Sequence, residues 1–322
     1  MTRTITVVSL NPAIDRTIEV PGFEQGATNR LTSSRLDPGG KGNNVARVLS
    51  SLGAPVQVLG FLGTENGELL VRTLAERGIR FQFVEVPGEN RVNLKIIEPE
   101  NGRLTEINDA GFTVGSEHLD RLTHLVQAAL PDTSVLVLSG SLPSGVPPAC
   151  YRDLIRLAGA AGVPTVVDAD GEPMLLALEA RPFLIKPNRE EAERLVGRTL
   201  QSRADLIQAA AELVARGPET VVISSGPAGA ALVNRSDRLL ATPPVIRASS
   251  PVGAGDSMVA GLALGIFRGL PITEQLRIAI AAGAATARLE GTQVCTSQDI
   301  AALLPNVTIT PFDAVTGGEK KS

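Results

Sequence analysis

Short runs of β-branched and aliphatic residues recur along this 322-residue chain, and stretches of helical periodicity separate many of them. That rhythm constrains the fold more than any single residue. The runs are ITVVS (5–9), VQVLG (56–60), VLVLS (135–139), TVVD (165–168), FLIK (183–186) and VVIS (221–224); the helical patterns cover 43–52, 65–77, 117–130, 149–161, 188–196 and 203–216. Near-continuous apolar strands joined by helices require a mostly parallel sheet covered on both faces, connected by right-handed crossovers. The expectation is a single α/β domain over residues 1–322, with its ligand site beyond the carboxyl ends of the strands. Two stretches break the rhythm. Residues 12–37 and 88–112 alternate polar and apolar side chains, carry Pro and Gly, and should form a small β lid. The last third turns helical over 256–269, 273–288 and 297–304, and the polar end from Asp313 to Ser322 reads as a frayed tail.

With 43% hydrophobic residues, no Trp and one Tyr, the core must be filled by Leu, Val, Ile and Ala. The net charge of −4 is mild and the basic residues are scattered, which argues against a nucleic-acid partner and for a small molecule. Cys150 and Cys295 have neither metal-ligand nor disulfide-framework spacing, so a reducing compartment is expected. The start, MTRTITVVSLNPAID, lacks a secretory h-region, and no apolar run reaches the ~20 residues that span a bilayer. The Ala-rich stretch 278–287 reads instead as a buried helix. A cytoplasmic protein with no membrane partner is expected. His118 and His124 do not share a helix face at metal-ligand spacing.

The strongest local signal is SSPVGAGDSMVAGLALGIFRGL (249–270), a glycine turn that opens onto a helix. Amides of Gly253, Ala254, Gly255 and Asp256 at a helix N-terminus would cradle an anion. The Asp256 carboxylate would repel a bound phosphate, yet it is placed to accept a proton from an attacking hydroxyl. Taken alone, the same residues also describe an Asp capping a helix after a glycine turn. The second signal is LDPGGKGNNVARVLSSLG (36–53). Gly39, Gly40 and Gly42 allow close backbone approach, and Lys41, Asn43 and Asn44 precede an apolar-periodic helix. No Ser or Thr follows Lys41 and the upstream glycine is missing, so this is not a Walker loop. It suits sugar hydroxyls, or equally a tight turn with Asn43 as N-cap. NREE (188–191) reads by itself as a helix start with acidic residues in its first turn. SSGPAG (224–229) reads as a hairpin turn between VVISS and AALVN.

Together and in this order, the two glycine motifs resemble the paired signatures of the phosphofructokinase B family of ribokinase-like sugar kinases, over nearly the whole chain. NPAID, SGSLPSGVP (139–147), KPNREE (186–191) and SSGPAG are similar to its sugar-phosphate branch. The resemblance implies a ribokinase-like fold: a mostly parallel sheet with helices on both faces, and a β lid. It makes Asp256 the catalytic base and the Gly253, Ala254 and Gly255 amides the anion hole. It places Asp15, Gly39, Gly40, Lys41, Asn44 and Ser139 at the sugar, with Arg91 binding the phosphate already on the substrate through its planar guanidinium. Arg30 and Lys95 are further candidates. Lys186, Asn188, Ser224, Gly226, Gly229 and Gly255 would contact ATP, and Glu191, with Asn188, would place Mg²⁺ through its water shell. The implied reaction is ATP-dependent phosphorylation of a ketohexose phosphate. Fructose 1-phosphate is favoured by the likeness of GFLGTENG, TEINDAGF, SGSLPSGV and VTITPFD; tagatose 6-phosphate and fructose 6-phosphate are alternatives. A homodimer through the lid is implied. A dinucleotide oxidoreductase would need GxGxxG where SLNPAID stands, and a non-catalytic sugar-binding regulator would have no need of Asp256.

Overall fold

A computed structural model describes residues 3–291, 293–313 and 318–319. The chain enters the core at once as β1 (Thr4–Ser9), leaves for β2 (Ala13–Glu19) and β3 (Ser33–Gly39), and returns through α1 (Lys41–Ser51) to β4 (Val56–Gly63). It continues through α2 (Glu68–Glu76), β5 (Arg80–Val86), β6 (Arg91–Glu98) and β7 (Arg103–Ile107). Next come α3 (Ser116–Ala129), β8 (Thr133–Ser139), α4 (Cys150–Ala160), β9 (Thr165–Asp168), α5 (Gly171–Glu179), β10 (Leu184–Ile185), α6 (Arg189–Val196), α7 (Arg203–Ala215) and β11 (Thr220–Ser224). The final part holds β12 (Ala230–Val233), β13 (Arg238–Thr242), α8 (Ala254–Phe267), α9 (Ile272–Ala287), α10 (Ser297–Leu303), β14 (Thr308–Asp313) and β15 (Gly318–Glu319).

The large sheet has the order β15-β14-β13-β12-β11-β10-β9-β8-β1-β4-β5. Every neighbouring pair from β5 across to β11 is parallel. From β11 to β15 the pairing is antiparallel. Alternation along the inner strands feeds two cores. Ile5, Val7, Val135 and Val137 pack with α1, α8 and α9 on one face, while Val8, Leu136 and Leu138 pack with α3, α4 and α5 on the other. Both faces are thus covered, as continuous apolar strands require. Strand order reverses at β1, between β4 and β8, which opens a crevice at the carboxyl ends of these strands.

A separate four-stranded sheet, β3-β2-β6-β7, is built from the two stretches whose residues alternate. Its period-2 pattern puts Asp15, Asn93 and Lys95 on one face, and Leu36, Leu94 and Ile107 in one row on the other. β3 runs past the expected segment to Gly39 and joins α1 through Gly40 alone, whose φ of 90° suits glycine.

Three features differ from expectation. β5 (RFQFVEV), alternately buried and exposed at an edge, lacks the continuous apolar run of the inner strands. The sheet is extended by an antiparallel edge. The end of the chain is not frayed where it is described: Asp313 closes β14, and Gly318–Glu319 pair back onto it. The remainder of the expected tail, 314–317 and 320–322, lies outside the described residues.

Candidate active site

The two glycine motifs meet, although about 200 residues separate them. α8 begins at Ala254 behind Gly253, which has φ +78° and no side chain to strain. Ala254 N–H donates to Pro251 O at 3.3 Å, so the amides best placed for an anion are those of Gly255 and Asp256 in the first turn. Asp256 does not cap the helix. Its carboxylate instead accepts a 2.8 Å hydrogen bond from Asn44 Nδ2 on α1. Burial raises its pKa to about 6, Asp168 adds to the rise, and Lys41, Asn44 and Lys186 oppose it. A carboxyl so tuned is ionised at neutral pH and ready to take a proton.

α1 starts at Lys41, so Asn43 is inside the helix and not its N-cap; its Nδ2 donates to Gly39 O at 3.2 Å. Lys41 Nζ lies 3.3 Å from Asp168 and 3.9 Å from Glu191. Asp168, at the carboxyl end of β9, also pairs with Lys186 at 3.4 Å. Burial alone would raise the Asp168 pKa, but the two lysines hold it below the usual carboxylate range. Reciprocally, Asp168 holds Lys41 above the usual lysine range. The NREE segment does form a helix start: Asn188 and Glu191 make a reciprocal capping box at the head of α6. Glu191 Oε2 accepts the Asn188 amide, leaving Oε1 on the Lys41 side, and burial raises its pKa.

From the small sheet, Asp15 accepts hydrogen bonds of 2.9 Å from both Asn93 Nδ2 and Lys95 Nζ. Arg91 Nε donates to Asn11 O at 3.2 Å, and burial lowers its pKa against the pull of Asp15 and Asp109.

These groups line one cavity of about 1210 Å³. Asp15, Arg91, Asn93, Lys95 and Glu106 reach it from the small sheet, with Asn108 just after β7; Gly40, Lys41 and Asn44 from the start of α1; Asp168 from the end of β9, Lys186 and Asn188 from the turn after β10, and Glu191 from the first turn of α6. Ser224, Gly226 and Gly229 reach it from the β11–β12 turn, and Gly253, Ala254, Gly255 and Asp256 from α8. Val245, Ile246, Ile280, Ala284 and Ala287 give one wall an apolar character.

Two expected sugar contacts fall elsewhere. Ser139 ends β8 fully within the protein, 2% exposed and off the cavity wall. Gly39 is also off the wall. A Cβ there would stand 2.7 Å from Asp15 Cγ, so its lack of a side chain makes room for that carboxylate. Arg30 is exposed and does not line the cavity, whereas Lys95 does. Asp168 was not singled out in the sequence. The signal available was TVVDAD, a carboxylate just where a buried parallel strand ends. Among the described residues no group of three or more His, Cys, Asp or Glu could hold a metal by itself, and no helix is long and apolar enough to cross a membrane.

Comparison with known proteins identifies the family and the fold. The pattern of the pfkB family carbohydrate kinases matches residues 4–299. A Rhodobacter capsulatus protein named 1-phosphofructokinase is 39% identical over 313 residues, covering 96% of this chain and 98% of its own length. The crystal structure of phosphofructokinase-2 from Escherichia coli in complex with substrates and products superposes with a TM-score of 0.88 at 33% identity, covering 95% of this chain and 99% of that one. Arabidopsis thaliana ribokinase, complexed with ribose and ATP, matches at TM-score 0.79 and 21% identity over 94% of this chain and 99% of its own, a likeness of fold. The fold is ribokinase-like.

Proposed function

The chain belongs to the pfkB family of carbohydrate kinases, and on that premise we propose that it transfers the γ-phosphoryl group of ATP to fructose 1-phosphate, giving fructose 1,6-bisphosphate. The observation that carries this reading is the Asp256 carboxylate, buried beside free helix-N-terminal amides yet committed to Asn44 and not to capping the helix. The choice of fructose 1-phosphate rests on the name of the Rhodobacter relative and its near full-length likeness.

Phosphoryl transfer asks for positioning and charge stabilisation. Asp15 orients the sugar hydroxyls, and Lys95 and Asn93 hold that carboxylate in place. Arg91 holds the phosphate the substrate already carries. The acceptor hydroxyl oxygen bonds to the γ-phosphorus as the bridging P–O bond to ADP breaks, and its proton passes to Asp256. Charge developing on the transferred group meets the amides of Gly255 and Asp256 and the ammonium of Lys41, while Lys186 serves the ATP phosphates. The apolar wall around Val245 and Ile280 fits a nucleoside.

The sparse carboxylates here suit Mg²⁺, an ion that keeps most of its waters and takes few protein ligands; Glu191 and Asn188 would hold it through water. Bound Mg²⁺ supplies shielding of phosphate charge. The small sheet acts as a lid on a single-domain body, excluding water when the sugar phosphate is bound. Its outer row of Leu36, Leu94 and Ile107, with Leu36 56% and Ile107 55% exposed, supports a homodimer paired through the lids. The unpaired, buried Cys150 and Cys295 suit the cytoplasm.

A coupled ADP-release assay with Mg-ATP tests the reading against fructose 1-phosphate, fructose 6-phosphate, tagatose 6-phosphate and fructose. The highest kcat/KM is expected for fructose 1-phosphate. A higher value for a 6-phosphate would reassign the substrate, and turnover of fructose alone would overturn the phosphate-binding role of Arg91.

A further inference from the structure

Arg47, on α1, is 6% exposed, and among the described residues it has no carboxylate within 4.0 Å. Taking a guanidinium out of water without a counter-ion is costly, and folds rarely keep one so placed for stability alone. Its Nη1 donates to two acceptors instead: Pro38 O at 3.0 Å and Asn44 Oδ1 at 3.2 Å. The first belongs to β3, the lid strand that runs into α1. The second is the far end of the amide whose Nδ2 donates to Asp256. Arg47 does not reach the cavity.

These contacts form one chain of hydrogen bonds, from Pro38 through Arg47 and Asn44 to Asp256. We propose that Arg47 is a positioning residue: it fixes the Asn44 amide in the one orientation that donates to the base, and it ties that orientation to the root of the lid. An amide has two faces of opposite polarity. Turned over, Asn44 would set its NH₂ against the guanidinium and its carbonyl oxygen against the Asp256 carboxylate, two repulsive contacts in place of two attractive ones. The cation thus excludes the wrong amide rotamer and polarises the right one. Burial brings the Arg47 pKa down to about 10, Arg77 pushes the same way, and Asp37 and Asp15 oppose, so the group is charged at neutral pH.

The inference rests on Asp256 being the base, and the experiment separates the two. The acid limb of kcat is measured for the full-length enzyme and for Arg47→Met, Arg47→Lys, Asn44→Ala and Arg47→Met/Asn44→Ala, with thermal midpoints alongside. Asp256 faces Asn44 and Lys41 from α1, Asp168 from β9 and Lys186 after β10; only the Asn44 contact changes in these variants. Loss of a donor to the ionised carboxylate raises its pKa, so the limb should move about one pH unit upward in Arg47→Met. Its kcat should fall about tenfold to a hundredfold. Arg47→Lys, which keeps a cationic donor, should recover part of both. Asn44→Ala should show the same shift, and the double variant no further one. An unmoved limb in Arg47→Met or additive shifts in the double variant would overturn the positioning role. If Arg47→Met does not fold, Arg47→Lys against Asn44→Ala decides: a limb at the wild-type position in Arg47→Lys with full kcat loss overturns it, and a smaller shift than that of Asn44→Ala supports it. Absence of any acid limb in the unaltered enzyme would instead count against Asp256 as base.

Discussion

Gly39→Ala places one methyl group against the carboxylate expected to hold the sugar. The new Cβ would lie 2.7 Å from Asp15 Cγ, 2.8 Å from Oδ2 and 2.9 Å from Oδ1, closer than real Cβ contacts come. The backbone at Gly39 is not in the left-handed region, so the clash with Asp15 is the effect being tested. Asp15 cannot retreat at no cost: it is 4% exposed and anchored by Asn93 and Lys95 at 2.9 Å each. Turning away gives up at least one charge-assisted hydrogen bond, worth about 1.5–3 kcal/mol, and misplaces the group proposed to orient the substrate. That loss corresponds to about a 10- to 100-fold fall in kcat/KM for the sugar phosphate, carried chiefly by KM, with the KM for ATP unchanged. Steady-state coupled assays, varying one substrate at saturating concentration of the other, read both constants. Gly159→Ala is the control: nothing lies within 4 Å of a Cβ there, and this helical site in α4 should gain roughly 0.5–1 kcal/mol of stability. A Gly39→Ala enzyme with unchanged sugar KM and kcat would refute the reasoning, because Asp15 would then be either mobile or irrelevant to the sugar.

Asp256→Asn should lower kcat by about 10²- to 10⁴-fold while leaving ATP binding measurable by calorimetry. The same substitution should raise the thermal midpoint at pH 7. The folded pKa of about 6 exceeds the ordinary 3.8, so the ionised form costs the fold roughly 3 kcal/mol above pH 6, and that cost fades as pH falls from 6 toward 3.8. Asp168→Asn leaves the buried Lys186 ammonium beside a neutral amide, with the half-exposed Lys41 nearby; denaturant unfolding should report a loss of about 3 kcal/mol, and the KM for ATP should rise. Gly253→Ala forces an L side chain to φ +78°, which should cost about 1–2 kcal/mol in thermal unfolding and weaken ATP more than sugar phosphate in KM measurements.

The inner strands, the helices between them and the small β sheet were legible because each has a period: continuous apolar for the buried strands, alternation for the lid. β5 was not, since RFQFVEV alternates without a continuous apolar run and lies between the helical pattern 65–77 and the lid stretch 88–112; its place at the sheet edge accounts for its exposed residues. The Gly253 turn and Asp256 were legible only through their pairing with the glycine motif at 36–53; alone, GxGD opening a helix also describes an Asp cap. Ser139 and Gly39 show the opposite limit: a motif places a residue near a site without saying which way it faces. Asp168 carries no motif, because its meaning comes from Lys41 and Lys186, which lie 127 residues before it and 18 after it. Arg47 was hidden differently. In an amphipathic pattern an Arg reads as a solvated face, yet α1 is buried over eight of its residues, sandwiched between the sheet and α8.

The hydrogen bond between Asn44 and Asp256 joins residues 212 positions apart. A ribosome adding roughly 5–20 residues per second takes about 10–40 s to make that span. Through all of it the segment that becomes α1 has been made without α8, the helix that buries it and completes the cover over the first strands. Nascent chains that stop before α8 therefore carry the whole small sheet but lack Asp256 and the helix that covers Ile5, Val7, Val135 and Val137. Assembly of the two glycine motifs into one cavity thus waits on synthesis through α8.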